Sequence, residues 1–339
     1  MRIVVIGAGA IGGVTAAYMA MNGIDVTLVC KRQNILDGIR RAGVHIVGKR
    51  GEHFIGVKTV LNSSDLERQK EQEKFDYCLI ATKAYDLKEA AANALPYLAN
   101  DGLIVSMQNG ICIDLLTEVV GSQRAAQAVV TWSCTMRGDA FFEITGEGGF
   151  ILGRADGAID SKLEELKLVM DKMAPTKITS SILSEMYSKL IINSGITCGG
   201  AMTGQTLGEM LRSRQARRFF IELVKEDMAL AKAMDLEVPP FGGRLDYDQL
   251  IKGEGFLSDL RRNIILYIIG RKYRNLKSSS LTSLQRGGRT EVDTLNGWIS
   301  KKAQAFHVST PVNDRVVKII NEIENGQRAI CPENILETL

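Results

Sequence analysis

The sequence predicts an α/β Rossmann-type domain followed by an all-α C-terminal domain. Three observations carry that prediction. Short β-branched runs alternate with helical segments through the first half, the rhythm of a parallel sheet covered on both faces. The rhythm stops near residue 184, and helical periodicity takes over. The length of 339 residues suits two domains at roughly 100–200 residues each. The boundary is placed in APTKITSS (174–181), giving domains of 1–180 and 181–339.

RIVVIG (2–7) is a strand ending in glycine, and IGGVTAAYMAMNG (11–23) a small-residue helix closed by Gly23. DVTLVC (25–30), YCLIAT (77–82), GLIVSM (102–107) and AAQAVVTWSC (125–134) read as further strands, with helices such as DLKEAAANALPYL (86–98) between them. VHIVGKRGEHFIGVK (44–58) reads as a hairpin turning at GKRG, and FFEITGEGGFILG (141–153) as another. The charge-dense DLERQKEQEKFD (65–76) reads as an exposed loop or helix. Beyond 184, the segments 184–202, 205–235 and 290–306 carry helical period. STPVNDRVVKIINEIE (309–324) opens with Ser309 or Thr310 as N-cap and Pro311 in the first turn. The segment 239–278, with its apolar patch NIILYIIG (263–270), follows no clear pattern.

Composition excludes several function classes. Hydrophobic residues make up 45% and charged residues 24%, an ordinary globular balance. A net charge of +3 is too small for a nucleic-acid surface, and no recognition motif accompanies it. RKYRNLK (271–277) is a local basic face. The six cysteines (30, 78, 112, 134, 198 and 331) form no CxxC pair, and His45, His53 and His307 are scattered. Neither a disulfide framework nor a metal site is expected. No apolar run reaches the ~20 residues a membrane span needs, and MRIVVIG has no signal-peptide pattern. A cytoplasmic location is expected.

GAGAIGG (7–13) places Gly7, Gly9 and Gly12 in G-x-G-x-x-G spacing. The pattern alone is weak, but here it follows a strand and opens a helix. Gly7 permits the tight turn, Gly9 lets a pyrophosphate approach the backbone, and Gly12 lets helix and strand pack. Ala8, Ala10 and Ile11 complete the loop. An NAD site usually ends its second strand with Asp or Glu. This chain has Cys30-Lys31-Arg32 there, and the cationic pair suits the 2′-phosphate of NADP(H).

YSKLIINSGIT (187–197) is an apolar helical stretch with Lys189, Asn193 and Thr197 at steps of four. Such steps drift about 40° on an α-helix, so the three share a stripe. An ammonium, an amide and a hydroxyl then face one cavity. Ketone reduction needs a proton delivered to oxygen, and a lysine aimed there both stabilises the alkoxide and donates the proton. Burial lowers a lysine pKa, and a carboxylate beside it raises it again. Glu291 is placed on a helical face shared with Leu295 and Trp298, where it would point inward to Lys189.

Several ordered motifs now carry a resemblance: GAGAIGG, ATKAYD (81–86), QNGI (108–111), YSKLIINSGIT, RTEVDTLNGW (289–298) and HVSTPVN (307–313). Together they are similar to the ketopantoate reductase (2-dehydropantoate 2-reductase) family over nearly the whole chain. The resemblance implies a Rossmann domain and a helical domain with the active site in the cleft between them. The implied reaction is NADPH-dependent reduction of a 2-oxo acid, ketopantoate to pantoate in pantothenate and coenzyme A biosynthesis. It implies Lys189 as general acid, supported by Glu291, which also faces substrate and cofactor. Asn193 and Ser279 would bind the keto acid. Lys83 and Asn109 would line the cleft near the nicotinamide, with Asn109 and Thr197 also facing the substrate.

Two departures bear on the substrate. The family often has a second asparagine where this chain has Thr197. Its serine-rich segment runs on to glutamine and aspartate, where SSSLTSLQRGG (278–288) has Thr282 and Ser283. The alternatives are therefore a paralogous reductase of another 2-oxo acid, an opine- or 3-hydroxyacid-type dehydrogenase, and a non-catalytic NADPH sensor. Glu291 and the QNG loop favour the reductase. The apolar patch at 263–270 raises the expectation of a homodimer.

Overall fold

The structure is a computed structural model that describes residues 1–69 and 74–339. The chain forms two compact units, Met1–Gln108 with Cys112–Leu183, and Asn109–Ile111 with Ser184–Leu339. Part of the charge-dense stretch 65–76 lies outside the described residues; its start belongs to a 3-10 turn at Ser63–Gln69.

In the first unit the chain runs β1 (Arg2–Ile6), α1 (Ala10–Met21), β2 (Asp25–Val29), α2 (Gln33–Ala42), β3 (Val44–Gly48), β4 (His53–Ile55), β5 (Lys58–Val60) and β6 (Phe75–Ile80). It continues through α3 (Leu87–Ala94), β7 (Leu98–Ser106), α4 (Ile113–Val120), β8 (Ala125–Val130), β9 (Ser133–Gly138), β10 (Phe141–Gly146), β11 (Phe150–Arg154), α5 (Ser161–Asp171) and β12 (Thr176–Ile178). Among the described residues, eight strands form one sheet in the order β12-β11-β8-β7-β6-β1-β2-β5. β1 pairs in parallel with both β2 and β6. The chain walks outward from β1 to β2 and β5, then returns to β6 on the other side. The carboxyl ends of β1 and β6 therefore flank the point where strand order reverses, the place where such sheets bind ligands. The central strands are apolar on both faces, as a doubly covered parallel sheet requires: Val5, Leu28, Leu79 and Val105 share one face, Val4, Cys78 and Ile104 share the other, and all are buried.

The four-stranded sheet β4-β3-β10-β9 corrects two readings. β3 and β4 do form the expected hairpin. The stretch 141–153 does not, because β10 joins β9 and β3 while β11 joins β8 and β12. The stretch 125–134 is likewise two strands in different sheets. Periodicity marks a strand but not its partner, and Thr131-Trp132 gives no turn signal. The real hairpin is β9–β10, turning at Asp139 and Ala140, the latter at φ 58.

The second unit holds α6 (Ile182–Ile192), a π-helical segment Asn193–Thr197, α7 (Cys198–Thr203), α8 (Leu207–Arg212), α9 (Arg214–Ala233), α10 (Tyr247–Ile251), α11 (Phe256–Lys272), α12 (Ser279–Gln285), α13 (Asn296–Ala305) and α14 (Pro311–Glu324). Three readings change here. Residues 187–197 are not one α-helix, since the π turns begin at Asn193. The span 205–235 is interrupted at Ser213, whose hydroxyl caps α9. α13 starts only at Asn296, after a 3-10 turn at Val292–Thr294. The N-cap of α14 is Thr310, but its side chain makes no cap bond. Glu226 of α9 instead accepts from the Val312 and Asn313 amides at 2.8 and 3.0 Å. A carboxylate is the stronger acceptor at a positive helix end. No helix among the described residues is long and apolar enough to cross a membrane.

Candidate functional site

The first unit contributes a glycine loop at the end of β1. Gly7 sits at φ 110, and a Cβ there would lie 2.8 Å from the Ala81 carbonyl carbon at the end of β6. A Cβ on Gly12 would collide with the Gly7 carbonyl oxygen. Gly9 has nothing within 4 Å of where its Cβ would stand. It is also the N-cap of α1, with no side chain capping the helix. The orphan amides of α1 thus open onto empty space, over which only glycine leaves room for an anion to approach backbone. Ala8 is buried, while Ala10 and Ile11 are partly exposed at the loop. These features fit a dinucleotide pyrophosphate.

At the end of β2, Lys31 and Arg32 are both exposed. Lys31 pairs with Asp86 at 4.0 Å, and Arg32 Nη2 lies 3.6 Å from the Met136 thioether. An exposed pair this long costs little to break, and a thioether is a weak acceptor. Both cations can turn to a phosphate. Lys83 follows β6 as the N-cap of a 3-10 turn at Ala84–Asp86. Thr82 before it accepts from Gln108 Nε2 at 3.3 Å.

The second unit gathers the chemistry-bearing residues. Between Met186 and Thr203, Lys189, Ile192, Asn193, Ile196 and Thr197 keep partial exposure and the rest are buried. That is one stripe on the α6–π face. A π turn takes more residues than an α turn, so a step of four falls short of a full turn there and offsets the α-helical drift. Thr197 Oγ1 lies 3.4 Å from Asn193 Oδ1. Burial lowers the Lys189 pKa to about 8, and the Glu291 carboxylate acts against that.

Glu291 is 8% exposed. It lies just before the 3-10 turn, not on a helix face with Leu295 and Trp298, because the chain at Leu295 (φ −102, ψ −103) breaks from helical geometry. Glu291 is nonetheless buried, as are its neighbours Thr290 and Val292. Asn109 and Gly110 group with this unit. Gly110 is at φ 81, and any Cβ there would strike the Thr294 carbonyl oxygen. The QNG loop is therefore seated on the turn that follows Glu291. Ser279 is exposed at the first position of α12, a helix that packs against the π segment. Thr282 Oγ1 donates to the Ser278 carbonyl at 3.0 Å.

Residues not singled out from sequence hold this face in place. Ser194 Oγ lies 2.9 Å from the Ile191 carbonyl oxygen and 3.0 Å from Asp227 Oδ2. One hydroxyl proton cannot serve both. Burial raises the Asp227 pKa to about 8, so its carboxyl proton makes the second bond near neutral pH. Asn313 Nδ2 donates to Asp227 Oδ1 at 2.9 Å and to Glu226 Oε2 at 3.0 Å. Asn296 Nδ2 donates to Asn313 Oδ1 at 2.9 Å. Gly195 backs onto the Phe220 ring with no room for a Cβ. The available signal was polar residues, Asp227, Asn296 and Asn313, at core positions of apolar helices.

Comparison with known proteins agrees with this geometry. The family "Ketopantoate reductase PanE/ApbA" matches residues 3–157, and its C-terminal counterpart matches 181–324. A 2-dehydropantoate 2-reductase of Pyrococcus abyssi is 26% identical over 92% of this chain and 94% of its own. One from Mesorhizobium japonicum is 24% identical over 95% and 98%. A PanE/ApbA family ketopantoate reductase from Ralstonia eutropha JMP134 shares the fold with TM-score 0.81 at 23% identity, covering 97% and 100%. A D-mandelate dehydrogenase solved with NADH and anilino(oxo)acetate does so with TM-score 0.79 at 19% identity, again covering 97% and 100%. Glycine loop, lysine stripe and the two matched halves lead to one conclusion: the chain belongs to the ketopantoate reductase family and is an oxidoreductase acting on a 2-oxo acid with a nicotinamide dinucleotide.

Proposed function

We propose that the chain is an NADPH-dependent 2-dehydropantoate 2-reductase. It reduces ketopantoate to pantoate in cytoplasmic pantothenate and coenzyme A biosynthesis, with 1–180 as the cofactor domain and 181–339 as the substrate domain. The observation that carries this reading is Lys189, a lysine whose pKa burial brings to about 8 while Glu291 acts to keep it charged.

When bound, the nicotinamide supplies the hydride for the ketone carbon. Gly7, Ala8, Gly9, Ala10, Ile11 and Gly12 seat the pyrophosphate against α1, and Lys31 and Arg32 bind the 2′-phosphate. Lys83, Asn109 and Glu291 face the nicotinamide end of the cofactor. Lys189 Nζ donates a hydrogen bond to the ketone oxygen and then its proton to the developing alkoxide. A pKa near 8 leaves the ammonium mostly protonated at neutral pH yet far more acidic than a surface lysine. Glu291 limits the loss of charge that burial would otherwise force. Asn193, Thr197, Ser279 and Asn109 hydrogen-bond the carboxylate and hydroxyl of the acid.

Thr282 favours one second reading. Its hydroxyl is engaged with the Ser278 carbonyl, which leaves the family's usual glutamine position without a polar group aimed at substrate. Another 2-oxo acid, lacking the matching hydroxyl, would then be preferred; an unpaired buried polar group costs ~1–3 kcal/mol. NADPH oxidation with ketopantoate and a panel of other 2-oxo acids separates these readings. Fastest turnover of ketopantoate supports the first, and fastest turnover of another acid moves the substrate while keeping the chemistry. NADPH binding with no turnover of any acid defeats both and leaves a cofactor sensor.

A further inference from the structure

Asn193 and Thr197 stand half-exposed on the π segment, and between them Ser194 turns inward into a closed polar space. Ser194, Asp227, Asn296 and Asn313 are all fully buried there, so donors and acceptors can be counted. Glu226 takes three donors, the Val312 and Asn313 amides and Asn313 Nδ2. The other Nδ2 hydrogen of Asn313 goes to Asp227 Oδ1. Asn296 directs its amide hydrogens to Asn313 Oδ1 and, at 3.4 Å, to the Ser194 carbonyl. Ser194 has one hydroxyl hydrogen and two oxygens beside it, the Ile191 carbonyl and Asp227 Oδ2. No lysine, arginine or histidine among the described residues bonds to either carboxyl. The set closes only with a hydrogen on Asp227 Oδ2: the carboxyl donates to Ser194 Oγ, and Ser194 donates to Ile191. Without that hydrogen the Ser194 hydroxyl turns to the carboxylate, the stronger acceptor. The Ile191 carbonyl then loses its Ser194 donor at the entry to the π turns.

We propose that Asp227 is a positioning residue for the acid substrate: its carboxyl hydrogen locks Ser194 into the π turns, and loss of that hydrogen displaces Asn193 and Thr197 and raises the KM for the 2-oxo acid. This rests on the reading of Asn193 and Thr197 as substrate ligands. Asp227 touches neither substrate nor the reacting atoms, so the proton transfer itself is left alone. Burial pushes Asp227 up to about 8, within the range where the enzyme is assayed. Three other titratable groups face it. Glu226 is its neighbour on α9; burial raises that carboxyl and the three donors act against the rise. Tyr187 of α6 donates to the Asp227 carbonyl oxygen at 2.7 Å, and Tyr247 of α10 donates to the Ser188 carbonyl at 2.5 Å. Burial raises both tyrosines above their ordinary value, so neither gains charge below pH 9. The network therefore changes state at Asp227, and the change comes as pH rises.

Initial rates of the full-length protein with saturating NADPH and the 2-oxo acid it reduces fastest test this, with KM and kcat separated across pH 6 to 9. Wild-type KM for the acid is expected to rise roughly tenfold above pH 8, the effect of losing about one hydrogen bond. The amide of Asp227→Asn donates to Ser194 at every pH. Its KM is expected to stay within about twofold of the neutral value, while its kcat falls along the same limb as wild type, because that limb belongs to Lys189. Ser194→Ala is expected to show the raised KM at every pH and no further rise. A flat wild-type KM overturns the inference without any variant. A KM that climbs equally in wild type and Asp227→Asn also overturns it, and gives the effect to Lys189. Turnover with either of those results fails the inference alone. No turnover of any 2-oxo acid fails the reductase reading, and the inference with it.

Discussion

The glycine loop Gly7–Gly12 and the π segment Asn193–Thr197 do comparable work by different means. In the proposed reductase each presents polar groups to a small molecule. The loop does so with backbone amides, and its shape is dictated within six residues by where a Cβ cannot stand. The π segment does so with side chains, and its shape is held from outside by Asp227, Phe220, Asn296 and Asn313, which lie far along the chain. A site built of local backbone is brittle to any added atom. A site held by a buried polar network is sensitive to the protonation of that network.

The largest expected effect falls on the side-chain site. Lys189→Met should lower kcat by roughly 10²–10⁴-fold, the usual worth of a positioned acid, with NADPH affinity unchanged in a fluorescence titration. Full activity in that variant would remove lysine from the chemistry. On the backbone site, Gly12→Ala should weaken dinucleotide affinity at least about tenfold and cost about 1–3 kcal/mol of stability, because the collision is with the Gly7 carbonyl oxygen and not with a movable side chain. Wild-type affinity and melting temperature would show that the loop gives way. Arg32→Ala should raise the KM for NADPH roughly tenfold, as loss of a charged hydrogen bond predicts, and leave NADH unchanged. An equal effect on both cofactors would place Arg32 away from the 2′-phosphate.

The smallest effect concerns the network, and its sign follows from protonation. The Asp227 pKa is raised from 3.8 to about 8, so the folded state holds a proton that the unfolded state releases between those values. The stability this lends is complete below pH 3.8 and is lost as pH rises through about 8. Asp227→Asn imitates the neutral carboxyl. Its melting temperature should match wild type near pH 4, lie a few degrees above it near neutral pH, and fall less between pH 7 and 9. A steeper fall in the variant would mean that Asp227 is ionised in the folded protein.

The contrast also explains what the sequence could reveal. The glycine spacing, the strand ahead of it and the cationic pair after β2 are local, and all are legible. The Lys189-Asn193-Thr197 stripe was legible as a pattern, but its π geometry was not, since Ser194 and Gly195 are anchored by Asp227 and Phe220 of α9. Glu291 was legible as an inward carboxylate and misplaced on a helix, because the break at Leu295 has no glycine or proline to announce it. The stretches 125–134 and 141–153 looked like continuous structure, yet each divides between two sheets. α11 escaped a clear reading because Arg262 is buried beside Leu266 while Leu260, Ile264 and Ile268 are exposed.

The central claim is that a half-buried, carboxylate-supported Lys189 is the proton donor, and the pH dependence of kcat for 2-oxo acid reduction tests it most directly. Lys189 must be protonated to act, so wild-type kcat should fall as pH rises through about 8. In Glu291→Gln the influence that raises the lysine pKa is gone, and the falling limb should move to lower pH. A wild-type profile flat through that region, or a limb that stays in place in Glu291→Gln, would contradict the account.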